Sequence, residues 1–307
     1  MNFMASTTTI ALLQHACDLD KQTNVETACR MIREAAGRGA TLAMTQELFA
    51  SRYFCQAEDD RNFELAEPIP GPTSQRLCDL AKELGISISG SLFERRTAGV
   101  YHNTSIMIGP DGQIIDRYRK MHIPDDPRFY EKYYFTPGDL GFRVQQIEGG
   151  LHTGMLVCWD QWYPEAARLT AMRGAEVLLY PTAIGWFTQG ADAERGPGTH
   201  GETAATRQEQ RDAWQTIQRS HAIANGVYVA ACNRIGVEDD LQFWGHSFVA
   251  DPTGQIIAEA EQDQPAVLVA EVDPAAIEAQ RRGWPFFRDR RIDAYAPLTA
   301  RFLDEPT

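Results

Sequence analysis

Two twelve-residue segments of the chain match without gaps at an offset of 142 residues. The first runs from Ser105 to Asp116 and the second from Ser247 to Ala258, and six of the twelve positions are identical. In each copy an apolar run leads into a Pro-x-Gly turn and a second apolar run, which predicts a β-hairpin. Hairpins of this type are common, so a chance match is the alternative. The shared Gln-Ile-Ile and the similar order of elements before each copy favour an internal duplication.

The period of the apolar residues upstream of each copy alternates between strand and helix. Before the first copy the predicted order is strand, helix, strand, helix, strand, at 9–15, 25–36, 42–44, 73–84 and 86–93. Before the second copy the same order is predicted for Gly154–Cys158, Pro164–Arg173, Val177–Tyr180, Gln208–Asn225 and Val227–Cys232. Glycines at positions 37 and 85 are typical helix stops. Each half therefore predicts a mixed sheet of the α/β class.

Each of the two predicted sheets needs helices on one face and an apolar partner on the other. Stacking the sheets on each other inside an outer layer of helices satisfies both needs. We therefore expect a four-layer αββα sandwich with internal two-fold duplication. No linker separates the halves, so residues 1–307 are expected to form a single domain, with a C-terminal extension at about 274–307.

Two stretches lie outside this plan. Gln189–Thr206 has four glycines and no large apolar residue, which predicts a long surface loop that is either disordered or a lid. The C-terminal extension carries Trp284-Pro-Phe-Phe-Arg-Asp-Arg-Arg291 and Tyr295. This number of aromatic side chains is not expected to remain in water. The extension should therefore pack on the rest of its own chain or on a second subunit. This pattern favours a homo-oligomer.

The composition excludes several classes of protein. The 29 basic and 42 acidic residues give a net charge of −13, which argues against a nucleic-acid partner. No apolar run approaches the length of a membrane span, and Met1–Leu13 lacks the features of a signal peptide. The six cysteines form no C-x-x-C pair, so they are expected to be reduced thiols of a cytoplasmic protein. The seven histidines are scattered, so neither a metal nor another cofactor is expected.

One cysteine lies in a context that differs from the other five. In "MLVCWDQWYPE" an apolar strand runs into Cys158, followed by a short turn and a helix that Pro164 begins. Such a junction is where α/β folds place reactive groups, and its free backbone N–H groups can hold an oxyanion. A buried structural thiol is the alternative. It suits the cysteines within apolar helices or strands, namely Cys17, Cys29, Cys78 and Cys232.

A nucleophilic cysteine needs a base or a neighbouring cation. Histidine is the usual base, and His122 is the nearest candidate, but it has no recognisable position at a strand end. Two other strand ends carry charged residues. Glu47 follows the predicted strand in "TLAMTQELF", and Lys120 follows the returning strand of the first hairpin in "RYRKMHIP". Charges at strand ends are common, so these positions alone do not assign a role.

The segments "QELF", "YRKMHIP" and "CWDQWYPE" together resemble the three signature segments of the nitrilase superfamily. The resemblance extends from about residue 9 to 295. It implies a catalytic triad of Glu47 as base, Lys120 as oxyanion partner and Cys158 as nucleophile, with the backbone N–H of Trp159 as a second oxyanion donor. Members commonly have a further glutamate between the lysine and a Pro-Gly-Asp turn. Glu131 is the only glutamate in that interval, so the resemblance implies that it orients Lys120 or the substrate nitrogen.

Within the superfamily, the segments "HIPDDPRFYEKYYFTPGDLGF", "LLYPTAIGW" and "WPFFRDRRIDAY" most resemble the N-carbamoylputrescine amidases. The resemblance implies hydrolysis of a small N-carbamoyl amine to ammonia, carbon dioxide and the free amine, a reaction of polyamine biosynthesis. Relatives that act on N-carbamoyl amino acids typically carry an arginine shortly after the nucleophile. Here Asp160, Gln161 and Trp162 take those places, which disfavours a substrate carboxylate.

The candidate substrate-binding residues follow from this expectation. Tyr53, Trp159 and Trp186 could wall an apolar slot for a methylene chain, and Asp125 or Asp126 could meet an ammonium group at its end. In a partly desolvated slot such a charged hydrogen bond is worth about 1.5–3 kcal/mol. Core packing is the alternative for each aromatic residue. Asp126 also stands where the N-carbamoylputrescine amidases usually have a glycine, which leaves the exact amine open.

Two other functions remain open at this point. An amidase of the same superfamily could act on an aliphatic carboxamide or an N-carbamoyl amino acid, although a carboxylate would be repelled by Asp125, Asp126 or Asp160. A non-catalytic scaffold is the alternative of another class. A scaffold has no reason to keep Glu47, Lys120 and Cys158 together.

Overall fold

The computed structural model describes residues 7–188 and 203–303. Its helices are α1 Lys21–Gly37, α2 Pro72–Leu84, α3 Glu131–Tyr134, α4 Pro164–Met172, α5 Ala204–Asn225 and α6 Pro274–Gly283. Its strands are β1 Thr8–Gln14, β2 Leu42–Thr45, β3 Ser87–Thr97, β4 Val100–Ile108, β5 Ile114–Arg119, β6 Val144–Gln146, β7 His152–Met155, β8 Val177–Pro181, β9 Gly185–Phe187, β10 Tyr228–Cys232, β11 Ile235–Glu238, β12 Leu241–Trp244, β13 Phe248–Ala250, β14 Ile256–Glu259 and β15 Ala266–Val272.

The two main sheets repeat one topology. The first has the order β15-β1-β2-β3-β4-β5, and the second has the order β14-β13-β10-β8-β7-β6. In each half three parallel strands are followed by an antiparallel hairpin, namely β1-β2-β3 with β4-β5 and β7-β8-β10 with β13-β14. Strands β9, β11 and β12 form a separate small sheet. The topology therefore confirms the predicted two-fold duplication.

The two hairpins of the repeat share their register as well as their sequence. Ile106 pairs with Arg117 in the first hairpin, and Phe248 pairs with Glu259 in the second. These pairs are related by the same offset of 142 residues that relates the sequences. Each hairpin also has its bulge at the equivalent place, after Met107 in the first copy and after Val249 in the second. A chance match between unrelated hairpins does not explain this agreement.

The sheets stack on each other and the helices cover their outer faces. Along β1, Ile10 and Leu12 lie in an apolar cluster shared with the second sheet, whereas Ala11 and Leu13 pack with residues of α1 and α2. Strands β1 and β2 contact β10 and β8 across the interface. Helices α4 and α5 contact β8 and β10 from the other side. This arrangement is the expected four-layer αββα sandwich.

Strand β15 is a part of the fold that the sequence analysis did not predict. It follows the second half of the chain but pairs antiparallel with β1 of the first sheet over seven residue pairs, from Thr8↔Val272 to Gln14↔Ala266. In the second sheet, β6 takes the equivalent edge position beside β7. The first sheet is therefore completed by a strand from the far end of the chain, which ties the two halves together.

Several predicted boundaries were wrong, among them two in the second half of the chain. The strand predicted to run to Cys158 ends at Met155, and Cys158 opens a 3₁₀ turn instead. Helix α5 begins at Ala204, because the hydroxyl of Thr203 accepts a hydrogen bond from the backbone N–H of Thr206 and caps the helix. The predicted loop therefore ends before its expected limit at Thr206, and its residues 189–202 lie outside the described chain.

The C-terminal extension is only partly packed in the single chain. Phe287 lies under the guanidinium groups of Arg168 and Arg281, each 5.0 Å from its ring centroid. Ile292 and Leu298 remain 75% and 65% exposed.

In the part of the chain that the structure describes, no helix is both long and apolar enough to cross a membrane.

Candidate active site

Three strand ends bring the predicted triad together. Glu47 follows β2, Lys120 directly follows β5, and Cys158 follows β7 in the other sheet. Lys120 Nζ lies 2.8 Å from Glu47 Oε1 and 2.6 Å from Glu131 Oε2. All four side chains are buried. The structure therefore places a lysine between two carboxylates, with a thiol beside them.

The charges in this cluster depend on one another. Burial opposes the charge of Lys120, but the carboxylates of Glu131 and Glu47 outweigh it and hold the pKa of Lys120 well above its usual value. Burial raises the pKa of Glu131. Burial, and then the charge of Glu47, raises the pKa of Cys158 well above its usual value. The resting site therefore holds an ammonium group and a neutral thiol.

The two oxygens of Glu47 have different surroundings. Oε1 accepts hydrogen bonds from Lys120 Nζ and, at 2.7 Å, from Asn103 Nδ2. Oε2 is buried and has no hydrogen-bond partner among the described residues. One oxygen is thus fixed while the other can accept a proton from a thiol or a water molecule. Asn103 was missed by the sequence analysis, because no motif marks its position on β4.

The backbone that carries Glu47 is held by a buried ion pair from the second half of the chain. Arg234 Nη2 donates to the carbonyl oxygens of Glu47 at 2.6 Å and of Leu48 at 3.2 Å, and Arg234 Nη1 pairs with Glu238 at 3.0 Å. Leu48 has a φ of 48°, a left-handed backbone conformation that residues other than glycine rarely adopt. The sequence analysis assigned no role to Arg234.

Tyr53 has a different place from the one predicted. Its hydroxyl donates to Glu131 Oε1 at 2.7 Å, and its backbone N–H donates to Glu238. Burial, and then the charge of Glu131, raises the pKa of Tyr53 well above its usual value, so the hydroxyl stays protonated and donates. Tyr53 is not among the described residues that line the cavity. It therefore touches the carboxylate behind Lys120 instead of forming an apolar wall.

A cavity of about 440 Å³ opens beside Cys158 and Glu131. The residues that line it are mainly apolar: Pro124, Asp126, Pro127, Phe129, Glu131, Cys158, Trp159, Trp162, Ala183, Ile184, Gly185, Phe187, Gln210, Ala213 and Trp244. Its two carboxylate members, Asp126 and Glu131, are acidic, and the described lining includes no lysine, arginine or histidine. The cavity is therefore suited to an apolar or cationic group.

Only two of the predicted substrate-binding residues, Asp126 and Trp159, line this cavity. Asp125 is exposed and lies outside the lining. Trp186 is buried behind the cavity wall, where its ring packs 5.1 Å from that of Trp244 and its Nε1 donates to the carbonyl of Arg207. The sequence analysis missed Trp162 and Trp244, because aromatic residues of the wall and of the core look alike in a sequence.

The two polar residues that replace the expected arginine do not face the cavity. Asp160 and Gln161 are both completely buried. Gln161 accepts a hydrogen bond from Trp214 Nε1 at 2.8 Å, so it belongs to the packing under α5. The expected repulsion of a substrate carboxylate by Asp160 is therefore not supported by its position.

In the described chain no group of three or more histidine, cysteine, aspartate or glutamate residues could hold a metal ion.

Comparison with known proteins shows which family this chain resembles. The sequence pattern of the carbon-nitrogen hydrolase family matches residues 9–282. An N-carbamoylputrescine amidase of Solanum lycopersicum is 45% identical over 301 residues, covering 94% of each chain. A citrullinase of Francisella tularensis is 37% identical over 298 residues, covering 95% of this chain and 98% of its own.

A solved structure shows the same fold. The carbon-nitrogen hydrolase from Helicobacter pylori G27 superposes with a TM-score of 0.90 at 40% identity, covering 97% of this chain and 100% of its own. Sequence and structure therefore agree across nearly the full length of the chain. The resemblance to the nitrilase superfamily is confirmed, and this chain is an enzyme of the carbon-nitrogen hydrolase family.

Proposed function

We propose that the protein hydrolyses a small N-carbamoyl amine, with N-carbamoylputrescine as the first candidate, and that Cys158 is the nucleophile. The observation that carries the proposal is the buried Lys120 between Glu47 and Glu131, next to a thiol at an apolar cavity. Further support comes from the N-carbamoylputrescine amidase to which the chain is similar. The product amine would then be putrescine, a diamine.

In the first half of the reaction, Glu47 Oε2 takes the proton of the Cys158 thiol as the sulfur attacks the carbamoyl carbon. The carbonyl π electrons move onto oxygen, and Lys120 together with the backbone N–H of Trp159 stabilises the oxyanion. The tetrahedral intermediate collapses, the carbon–nitrogen bond breaks, and the leaving NH₂ group takes the proton from Glu47. Ammonia departs and an S-carbamoyl enzyme remains.

In the second half, Glu47 removes a proton from water while the hydroxide attacks the S-carbamoyl carbon. The carbon–sulfur bond then breaks, and the proton on Glu47 returns to the sulfur of Cys158. The released carbamic acid decomposes to carbon dioxide and the free amine. Glu131 pairs with Lys120 throughout, so the ammonium group stays charged and directed towards the developing oxyanion.

The cavity supports an amine substrate over an amino acid. Aromatic walls such as Trp162 and Trp244 suit a methylene chain, and Asp126 suits a terminal ammonium group. The similar citrullinase favours a second candidate, an N-carbamoyl amino acid. The carboxylate of such a substrate would meet no cation in the described lining of the cavity and would approach Asp126.

The contribution of Asp126 is smaller than the sequence analysis predicted. Asp126 is exposed, so water screens its interaction with an ammonium group. An exposed ion pair is worth about 0–1 kcal/mol, which corresponds to a preference of up to about fivefold. The apolar walls, rather than this charge, should therefore supply most of the binding free energy of the substrate chain.

A substrate panel tests the proposed specificity. We expect kcat/KM to be highest for N-carbamoylputrescine, lower by up to about fivefold for N-carbamoylbutylamine, and much lower for citrulline and N-carbamoyl-β-alanine. Asp126→Asn should remove the preference for the ammonium group without slowing N-carbamoylbutylamine. Asp125→Asn is the matched control, because Asp125 is exposed but does not line the cavity. A preference for either amino acid would reject the proposed substrate class.

A second experiment tests the nucleophile. Cys158→Ala should be inactive and remain folded, whereas Cys55→Ala should keep substantial activity. Cys55 is a fair control because it is also buried, and because burial and then the charge of Glu131 raise its pKa well above the usual value, as they do for a thiol close to the same cluster. An active Cys158→Ala variant would reject the proposed mechanism.

We also propose that residues 1–307 act as one domain, that the chain forms a homo-oligomer, and that it works in the cytoplasm. The interlocking of the sheets through β15 supports the first proposal. The exposed apolar residues of the C-terminal extension support the second. Support for the third comes from the six cysteines, all of which are free thiols.

A further inference from the structure

Asp160 is a buried carboxylate with an unusual set of donors. It lies in the 3₁₀ turn that begins at Cys158 and is completely buried. Its Oδ2 accepts hydrogen bonds from the Tyr118 hydroxyl at 2.8 Å and from the backbone N–H of Val157 at 2.9 Å. Its Oδ1 contacts both the backbone N–H and the ring Nδ1 of His122, at 3.1 and 2.7 Å.

These contacts connect the two segments that carry the reacting groups. Tyr118 and His122 lie two residues before and two residues after Lys120, and Val157 directly precedes Cys158. The segments come from different sheets, since Lys120 follows β5 and the Cys158 turn follows β7. We propose that Asp160 is a positioning residue, which sets the distance between Lys120 and Cys158 by holding both segments on one carboxylate. This inference rests on the proposed roles of those two residues.

The turn at Cys158 needs such support. Cys158 has a φ of 38°, in the left-handed region that disfavours a residue with a Cβ atom. The hydrogen bonds from Val157 N–H to Asp160 Oδ2 and from Asp160 N–H to the Val157 carbonyl, at 3.0 Å, close the turn around this strained residue. Without the carboxylate, the cysteine backbone could relax and move the thiol away from Lys120.

The partners of Asp160 are themselves fixed in orientation. The ring of His122 stacks on that of Tyr163, with centroids 3.7 Å apart and planes 8° from parallel. Tyr163 is the N-cap residue that directly precedes helix α4. Tyr118 is completely buried and packs in the core between the sheets. The carboxylate therefore joins partners that are themselves packed, one in the core and one against the N-cap residue of α4.

Asp160→Asn tests the inference, because the amide keeps the shape of the carboxylate but turns one acceptor into a donor. Whichever carboxylate oxygen is replaced, the NH₂ group would face a backbone N–H that cannot accept a hydrogen bond, that of His122 or that of Val157. With the best N-carbamoyl amine as substrate, we expect kcat to fall about a hundredfold with KM changed less than about threefold, because Asp160 itself does not line the binding cavity. The rate at which iodoacetamide alkylates Cys158 should also differ between Asp160→Asn and the wild type. This rate reports the position of the thiol without any turnover.

Asp116→Asn is the matched control. Asp116 is also a buried carboxylate with a backbone partner, Arg117 N–H, and a charged one, Arg143, but it contacts neither reacting segment. We expect it to lower the melting temperature and to leave kcat within about twofold of the wild type. If both variants lost kcat equally, or if Asp160→Asn kept normal kcat and alkylation, the positioning role would be rejected.

Two milder variants cover the case in which Asp160→Asn does not fold. Tyr118→Phe and His122→Phe each keep an aromatic ring and remove one side-chain hydrogen bond to Asp160. Each should lower kcat about three- to tenfold at unchanged KM, and wild-type kcat in both would contradict the inference. Cys158→Ala is assayed in parallel. Activity in that variant would reject the proposed nucleophile, and this result is separate from any effect at Asp160.

Discussion

Lys120 is the residue that permits two carboxylates to be buried together. Glu47 and Glu131 both contact its ammonium group, and all three side chains are buried. A buried charge without a partner is strongly destabilising, whereas a paired one with further hydrogen bonds is tolerated. Asn103 and Tyr53 supply those further hydrogen bonds, one on each carboxylate. The cluster is therefore a single electrostatic unit.

Lys120→Met should consequently abolish activity and also destabilise the protein. It leaves two buried carboxylates without a cation, which costs about 3–5 kcal/mol in the free energy of unfolding. Glu47→Gln should lose activity by at least about 10²-fold but retain most of the stability, because it keeps the shape and removes one charge. Urea unfolding and turnover measured on both variants make the comparison. The exposed Lys132→Met is the control for the loss of a lysine, and wild-type stability of Lys120→Met would contradict the charge argument.

Tyr53→Phe should change the pH dependence of the enzyme. The Tyr53 hydroxyl donates to ionised Glu131 and so lowers a pKa that burial has raised. Without this hydrogen bond the pKa of Glu131 rises further, so the carboxylate is protonated at higher pH and its pairing with Lys120 is lost sooner as the pH falls. The acidic limb of kcat/KM should therefore move to higher pH, by roughly one unit.

The control for this pH profile is Tyr134→Phe. Tyr134 is also buried and donates its hydroxyl hydrogen bond to the Ala57 carbonyl, away from Glu131. The acidic limb of kcat/KM for Tyr134→Phe should coincide with that of the wild type. A shift to lower pH in Tyr53→Phe would have the wrong sign and would show that Glu131 does not need to be ionised.

At the level of elements, the site depends on how each strand end is held in place. The end of β5 packs directly on the Pro137-Gly138-Asp139 turn, and the Gly138 N–H donates to the Lys120 carbonyl at 2.8 Å. A Cβ atom at Gly138 would lie 1.9 Å from the carbonyl oxygen of Arg119. The glycine is therefore required by close contact between the turn and the strand.

Gly138→Ala should force the turn away from β5 and displace Lys120. We expect a loss of about 1–3 kcal/mol in the free energy of unfolding. We also expect a fall of at least about tenfold in kcat. Gly37→Ala at the end of α1 is the control, because a Cβ atom there meets nothing within 4 Å. If Gly138→Ala had normal kcat, the turn would not control the position of Lys120.

At the scale of the whole molecule, the single chain leaves an apolar surface on its C-terminal extension. Ile292 and Leu298 are largely exposed there, and Leu169 and Met172 on α4 are about half exposed. Grouped exposure of this kind is typical of a contact between subunits. It is the structural support for the proposed homo-oligomer.

Light scattering should therefore give a mass that is a multiple of the 34.4 kDa chain at micromolar concentration. The double variant Ile292→Glu with Leu298→Glu should shift the protein towards the monomer, because charges would be buried without partners in the interface. Leu19→Glu is the control, since Leu19 is 84% exposed but precedes α1, far from the extension in sequence. A monomeric wild-type protein would reject the proposed oligomer.

Several features could be predicted from the sequence because they depend on neighbouring residues. The repeated hairpins follow from their turn residues and alternating apolar positions. Helix α2 ends where predicted, because Gly85 takes a left-handed conformation with a φ of 65°. The three strand ends with Glu47, Lys120 and Cys158 were recognisable because each motif is short and contiguous.

Other features were decided only by the tertiary structure. The pairing of β15 with β1 joins residues more than 250 positions apart, and no local pattern specifies a partner at that distance. The position of Tyr53 behind Lys120 and that of Trp186 behind the cavity wall likewise depend on which side chains meet after the sheets stack. The same holds for the exposure of Asp126 in the lining of the cavity. Periodicity and turn chemistry are local properties of the chain, so the sequence by itself determined most helices and strands of the two halves and indicated the proposed reacting groups. Burial and electrostatic coupling are collective properties of the packed fold, so only the structure decided which neighbours those groups have.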